Sequence, residues 1–497
     1  MMKLNHVPVL MGIDSSTSAC KATAWDLQGQ VVSSGRAVHA LSQPHAGWHE
    51  QNAEDWWTAL KLAVRECLQG IDPARIQGIS LSIQRETFVP VDAQGKPLRP
   101  AILWMDTRAH EQVAGLTEEV PDFQSMTGKR MSVNLIPPRW RWMWENEPHI
   151  VQKTAQLWDV HAYLTHQLTG KAVTSWGCVG PAGILNLNTM SYAQPVLEAV
   201  GLTADRLPPL AAPGEMIGCV TTQAAAETGL HPGTPVYAGI GDGQACGIGA
   251  GINAPGTSYL TLGTSVISGT YAPHFLTDNA FRTMVGGGGS YLLETVLLSG
   301  TYTIDWYLKT LLKETTSLEE LTAQAAQLSP GAEGLVLLPY WNSALNPYWD
   351  ADARGVILGW RGIHTQAHVF RAILEGIAFE QRLHTEGVEQ ALVERIDSYI
   401  VMGGGSQSDL WCQIIADVTG RTVQRSATTE AASLGVAILA AVAAGFYPNL
   451  ATASEQMSHT LGKPFLPDVE RSKVYERLYQ EVYLPLYPAL KEIMGKL

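Results

Sequence analysis

The residues best suited to chemistry are an aspartate between two glycines, Gly241-Asp242-Gly243, and two hydroxyl-rich turns, Asp14-Ser15-Ser16-Thr17-Ser18 and Gly263-Thr264-Ser265. Glycines beside Asp242 leave room for a substrate to reach the carboxylate. That suits a general base taking the proton of an attacking hydroxyl in phosphoryl transfer. On its own a Gly-Asp-Gly run reads as an ordinary turn. The two hydroxyl turns present backbone N–H groups and side-chain hydroxyls, so that, facing each other across a cleft, they can hold one triphosphate. Alone, each is an ordinary hairpin, since Ser, Thr and Gly dominate turns anyway. Asp14 is placed to orient a magnesium ion through water, because Mg2+ keeps several waters and takes few carboxylates. Lys21 adds a compensating charge.

Gln84-Arg85-Glu86 gathers hydrogen-bond donors and acceptors at a predicted strand end, as recognition of hydroxyls requires. Trp104 offers a face for the carbon side of a sugar, with Asp106 and Arg108 close by. The competing reading of these last two is a local ion pair. Several common sites are absent. Every Gly-Lys pair is followed by Pro, Arg, Ala or Leu, so there is no Walker A loop, and there is no HExxH, GxSxG or strict GxGxxG.

The elements that must position these groups follow from hydrophobic periodicity. Strands are predicted at 7–13, 22–27 and 31–38, forming an antiparallel meander. Asn52 caps a helix whose buried face is Trp56, Leu60, Ala63, Val64 and Cys67. A strand at 79–83 leads into Gln84, and another begins near 232–237 before the glycine-rich run 239–251. Strands at 258–262 and 266–270 flank Gly263-Thr264-Ser265 and repeat the form of the first unit. A strand at 398–402 runs through three glycines into a helix at 409–419, an element able to receive a nucleotide. The chain therefore reads as two related halves, 1–252 and 253–497, with the cleft between them as the place for chemistry.

The 497 residues exceed one ordinary core, and 46% apolar with 16% charged residues describes folded, globular material. A net charge of -13 opposes a nucleic-acid partner. Six scattered cysteines, without CxxC or zinc spacing, suit a reducing cytoplasm. The apolar run at 7–13 is too short for an export signal. The uncharged stretch 431–446 reads as a close-packed interior helix rather than a membrane span.

Residues 137–148, 355–360 and 368–375, with supporting stretches at 101–108, 262–265 and 402–405, resemble the signatures of the FGGY carbohydrate kinases. The resemblance covers nearly the whole chain. It implies an α/β fold of two ribonuclease-H-like domains of the actin/hexokinase type, closing over ATP and sugar. By position it implies Asp242 as catalytic base and Asp14 as the residue associated with Mg2+. Thr17, Ser18 and Thr264 fall at phosphate contacts, and Gly300, Gly404, Gly405 and Ser408 where the nucleotide binds. Gln84, Arg85, Glu86, Trp104 and Asn134 fall where substrate hydroxyls bind. A homodimer is a further expectation from the family. Departures are Ser16 for a usual glycine, Arg139 for a usual lysine and Trp360 for a usual aliphatic residue.

Within the family the chain looks most like the xylulose kinases, yet Arg85-Glu86 is the glycerol-kinase pattern where xylulose kinases usually carry Met-His. The expected reaction is transfer of the γ-phosphoryl group of ATP to a hydroxyl of D-xylulose or a related pentulose. The alternatives are a glycerol or polyol kinase, and a nucleotide-dependent binding protein without catalysis.

Overall fold

The computed structural model describes residues 7–497. Strands β1 (Val9–Ser15), β2 (Ala19–Trp25) and β3 (Val31–Val38) form the antiparallel meander that their alternation predicts. Ser16 closes the first turn: its hydroxyl donates to the Ala19 carbonyl at 2.9 Å, so the side chain standing for a glycine strengthens the turn. Helix α1 (Ala53–Cys67) starts at Asn52, whose side chain accepts the Glu54 N–H, and its predicted apolar face is buried. Strand β4 (Ile76–Ile83) lies parallel to β1.

Helices α2 (Ile136–Asn146) and α3 (Val160–Thr169) precede β5 (Met216–Cys219) and β6 (Pro235–Gly241). Strand β6 runs parallel to β4, and helix α4 (Asp242–Gly249) begins at the next residue. The six strands are ordered β5-β6-β4-β1-β2-β3.

The second sheet contains β7 (Thr257–Leu262), β8 (Val266–Ala272), β9 (Arg282–Val285) and β10 (Tyr291–Leu297). After α5 (Thr301–Trp306) and the long α6 (Gln366–Leu392) come β11 (Ser398–Met402), α7 (Asp409–Thr419) and β12 (Thr422–Ser426). Helix α8 (Ala431–Ala443) and β13 (Thr460–Phe465) complete it, in the order β9-β10-β8-β7-β11-β12-β13. The runs β3-β2-β1-β4-β6 and β10-β8-β7-β11-β12 share one ribonuclease-H-like order: an antiparallel meander, then two strands parallel to its first. The fold is thus two such α/β units, and the repeat seen in the sequence is a repeat of topology.

The expected interior helix is α8, buried along residues 431–441 without a continuous polar face. It lies between β12 and β13 of the second sheet in the chain but packs on the first. Ser433 donates to the Gly12 carbonyl at 3.0 Å and accepts from the Trp25 indole at 3.0 Å. Helices α4 and α8 cross backbone to backbone: a Cβ on Gly249 would lie 2.0 Å from the Ala431 oxygen, and one on Gly435 1.9 Å from the Ala245 oxygen. Among the described residues no helix is long and apolar enough to cross a membrane.

Candidate active site

Each half contributes strand ends to one cleft. A cavity of about 230 Å³ is lined from the first half by Arg85, Glu86, Trp104, Asn134 and Asp242, and from the second by Ser265, Ile267, Arg282 and Leu345 among others. Five of the residues expected around a sugar therefore meet there. Gln84 does not line the cavity. It is buried behind it, donating to Gln51 at 2.9 Å and accepting from Thr87 at 3.4 Å.

The cavity is organised by a chain of charges. Arg85 Nε lies 3.0 Å from Asp242 Oδ1, and its NH1 donates to Glu294 Oε2 at 2.8 Å. The other oxygen of Glu294 accepts from Arg282. Burial pushes the Asp242 carboxyl up and Arg85 pulls it part of the way back. Burial also raises Glu86, again against Arg85. Glu294 is fully buried, yet its two arginines hold it below the usual carboxylate range. Asp242 is the first residue of α4 rather than part of a turn. Its flanking glycines serve a different neighbour from the one expected. A Cβ on Gly241 would meet the Arg85 stem at 2.6 Å, and one on Gly243 would lie 2.8 Å from Glu294 Oε2. The room they leave is filled by this ion-pair chain.

Arg139, in the first turns of α2, fixes the wall from behind. Its Nε donates to Leu135 O at 3.0 Å, NH1 to the carbonyls of Ile102 and Leu103, and NH2 to those of Glu86 and Asn134. Each of its five N–H groups thus has a carbonyl, which a lysine ammonium with three donors cannot match. Burial pushes the guanidinium down to about 10. Glu86 itself adopts a left-handed backbone (φ 58°), a costly conformation for a non-glycine residue that this carbonyl contact helps hold. Trp104 ties the cavity to the first turn: its indole donates to Thr17 Oγ1 at 3.0 Å, and its carbonyl accepts from Asn134 at 2.8 Å. Asp106 and Arg108 form the local ion pair, joined at 2.8 Å, with the guanidinium stacked 3.8 Å over Trp48. They support the fold and do not line the cavity.

Asp14 and Lys21 are opposite partners on β1 and β2 and so share a face. Ser82 donates to Asp14 Oδ1 at 2.9 Å. Burial and then the nearby Asp242 push the Asp14 carboxyl up to about 7 against the pull of Ser82 and Lys21. Lys21 is engaged by Glu430, just before α8, at 2.9 Å. Among the described residues no cluster of three or more His, Cys, Asp or Glu is suited to a metal. What fits is a water-rich Mg2+ beside the one carboxylate Asp14, where a divalent charge offsets the mutual repulsion of Asp14, Asp242 and Glu430.

The second turn stands between two cavities. Ser265 lines the sugar-sized one, Thr264 is exposed, and the turn is clamped to the start of α5. There Gly300 N–H donates to Thr264 O at 2.9 Å and Thr301 N–H to Gly263 O at 2.8 Å. A Cβ on Gly300 would lie 2.5 Å from the Gly263 oxygen, so glycine is required for this clamp. Thr301 in turn lines a cavity of about 710 Å³ together with Phe370, Gly404, Gly405 and Ser408. Gly404 faces open space, whereas a Cβ on Gly405 would meet the Trp411 ring at 2.4 Å. Ser408 accepts the Trp411 N–H at 3.2 Å and caps α7. Thr17 and Ser18 lie on the first turn, and Ser18 is exposed.

The model of the FGGY family of carbohydrate kinases matches the chain with its N-terminal domain at 9–249 and its C-terminal domain at 258–444. The chain belongs to the FGGY family of carbohydrate kinases. It is 31% identical to the xylulose kinase of Bacillus subtilis over 97% of both chains. It is 27% identical to the L-xylulose/3-keto-L-gulonate kinase of Escherichia coli, also over 97% of both. Among solved structures the xylulose kinase of Rhodospirillum rubrum superposes with a TM-score of 0.91 at 28% identity, over 98% of this chain and all of that one.

An FGGY kinase is a phosphotransferase with an alcohol acceptor that uses ATP. Ser265 of the 263–265 turn lines the smaller cavity, and Thr301, bonded to the same turn, lines the larger. Sequence reasoning missed the second-half wall of the smaller cavity, above all Arg282 and its carboxylate Glu294. One signal was present: Glu294 is the lone charge in an otherwise apolar strand, Tyr291–Leu297, which is costly unless it is paired.

Proposed function

We propose that this FGGY kinase transfers the γ-phosphoryl group of Mg-ATP to a hydroxyl of an open-chain pentulose, D-xylulose or a close relative. The observation that carries the reading is the position of Asp242, one carboxylate in a cavity of about 230 Å³ that adjoins the turn leading to the cavity of about 710 Å³. Asp242 accepts the proton of the substrate hydroxyl as the hydroxyl oxygen bonds to the γ-phosphorus. The bond from that phosphorus to the bridging oxygen breaks, and ADP leaves. Arg85, Glu86, Trp104 and Asn134 orient the sugar. Thr17, Ser18 and Thr264 offer donors to phosphate oxygens, and Gly404 leaves space for the nucleotide, with Gly300, Gly405 and Ser408 shaping its site. Asp14 would hold Mg2+ through water, which when bound neutralises phosphate charge, and Lys21, itself paired with Glu430, offsets part of the Asp14 charge.

We take 1–252 and 253–497 as the two domains, a division supported by the six-stranded sheet lying in the first and the seven-stranded sheet in the second. Six free cysteines fit a cytoplasmic enzyme, and a homodimer is carried over from the family. Full-length similarity to xylulose kinases supports the ketose. The Arg85-Glu86 pair favours a second reading, a kinase of glycerol or a longer polyol. Coupled ADP release with Mg-ATP against D-xylulose, L-xylulose, glycerol and alditols tests both. A ketose giving the highest kcat/KM is the expected result, and glycerol leading would replace it with the second reading. ADP release stimulated by no sugar would return weight to a nucleotide-dependent binding protein.

A further inference from the structure

The smaller cavity is completed by a residue that no strand-end motif announces. Arg282 opens β9 and stands directly opposite Glu294 on β10, so the two share a face of the second sheet. Its NH2 donates to Glu294, the buried carboxylate that also holds Arg85. The guanidinium is thereby fixed beside the cavity it lines, and its Nε N–H is buried without a protein acceptor. The surrounding wall on this side is mostly apolar, formed by Ile267, Val296, Leu298 and Leu345, with Ser265 as its one hydroxyl. An arginine carries donors only, and a buried donor is costly until an acceptor meets it.

We propose that Arg282 is a substrate-binding and specificity-determining residue, reading an sp² oxygen of the open-chain sugar, either a ketone carbonyl or a carboxylate. This rests on the kinase reading above. A carbonyl or carboxylate oxygen only accepts, so it matches a donor-only partner in a mostly apolar wall. A hydroxyl brings a proton of its own, and on this wall only the Ser265 hydroxyl is free to take it, Glu294 being already engaged by two arginines. Because Arg282 comes from the second half and Asp242 from the first, the oxygen it reads and the hydroxyl that reacts lie on opposite walls. The sugar bridges the two halves.

The test measures kcat/KM of the full-length enzyme for D-xylulose, xylitol and xylonate, which differ in having a carbonyl, only hydroxyls, or a carboxylate. Wild type is compared with Arg282→Met and Arg282→Lys. The expected result is that wild type prefers the ketose or the aldonate over the alditol, the better of the two identifying which oxygen is read. Arg282→Met then lowers that preference by about ten- to a hundredfold while KM for ATP stays within about twofold. Arg282→Lys keeps the charge but not the planar fork. It is expected to lose most of the preference too, which keeps the test valid if the methionine variant folds poorly. Equal losses on ketose and alditol, or no loss, would overturn the assignment. A wild-type preference for the alditol would overturn it while leaving the kinase intact, and no phosphorylation of any sugar would remove the kinase reading itself.

Discussion

Arg85 Nε lies 3.0 Å from Asp242 Oδ1, so the candidate base is ion-paired to a residue lining the same cavity. The pair sets both the orientation and the proton affinity of the carboxylate. Asp242→Asn keeps its size and removes its basicity, and kcat is expected to fall about 10²- to 10⁴-fold with ATP affinity retained. Arg85 pulls the Asp242 pKa down, so Arg85→Met is expected to move the acidic limb of the kcat/KM profile to higher pH. Wild-type turnover in Asp242→Asn would show that the proton goes elsewhere.

Asp14 supplies a pH signature. Its carboxyl is raised to about 7 in the folded protein, against about 4 in an unfolded chain. A raised acid favours the protonated folded state, so its contribution to stability falls as pH rises from about 4 to about 7. Asp14→Asn is expected to stabilise the ligand-free protein at pH 8 by about 1–3 kcal/mol while abolishing most turnover. Binding of Mg-nucleotide near pH 6.5 should release protons from wild type and fewer from the variant, read by calorimetry in buffers of different ionisation enthalpy. Equal release would assign the titration to another group.

The five carbonyls gathered by Arg139 predict a cost for the residue usual in the family. Arg139→Lys leaves at least two buried carbonyls unpaired, an expected loss of about 2–4 kcal/mol in denaturant melts, with a higher KM for sugar because the Glu86 and Asn134 backbones are released. A melt identical to wild type would mean that water or backbone movement replaces the lost donors.

His161, on α3, accepts the Gly239 N–H at 2.9 Å and meets the Val173 carbonyl at 3.0 Å, so it is neutral with the proton on Nδ1. Burial pushes it down to about 4. A base lowered on folding leaves stability intact above the unfolded pKa of about 6.5 and removes it as pH falls toward 4. Wild type should lose about 2–3 kcal/mol over that window, and His161→Gln should show a flatter profile. Parallel profiles would place the acid sensitivity in other groups.

Local pattern made much of the fold legible. The meander of β1 to β3, the Asn52 cap and the strand–glycine–helix run into α7 all follow from periodicity and turn chemistry within a few residues. The strand ends that carry Arg85, Glu86 and Asp242 into one cavity were readable for the same reason. What escaped reading depends on partners far apart in the chain. Arg85 and Glu294 are 209 residues apart, and Lys21 and Glu430 are 409 apart. Nothing local to Gly241 or Gly243 reveals that an arginine and a glutamate, rather than a substrate, occupy the space beside them. Gln84 looked like its neighbours Arg85 and Glu86, but strand geometry turns it inward, where Gln51 and Thr87 take its amide.

The crossing of α4 and α8 constrains what variation the enzyme can accept. Where Gly249 meets Ala431 and Gly435 meets Ala245, main chain rests on main chain, with no rotamer available to absorb an added methyl. Asp242 opens one of these helices and Glu430 immediately precedes the other, so both carboxylates are mounted on a joint with little room to adjust. A side chain added at Gly249 or Gly435 would push these helices apart and with them the placement of Asp242 and Glu430. Leu345, on the opposite wall of the smaller cavity, stands away from this crossing, so its size can vary without forcing the two helices apart.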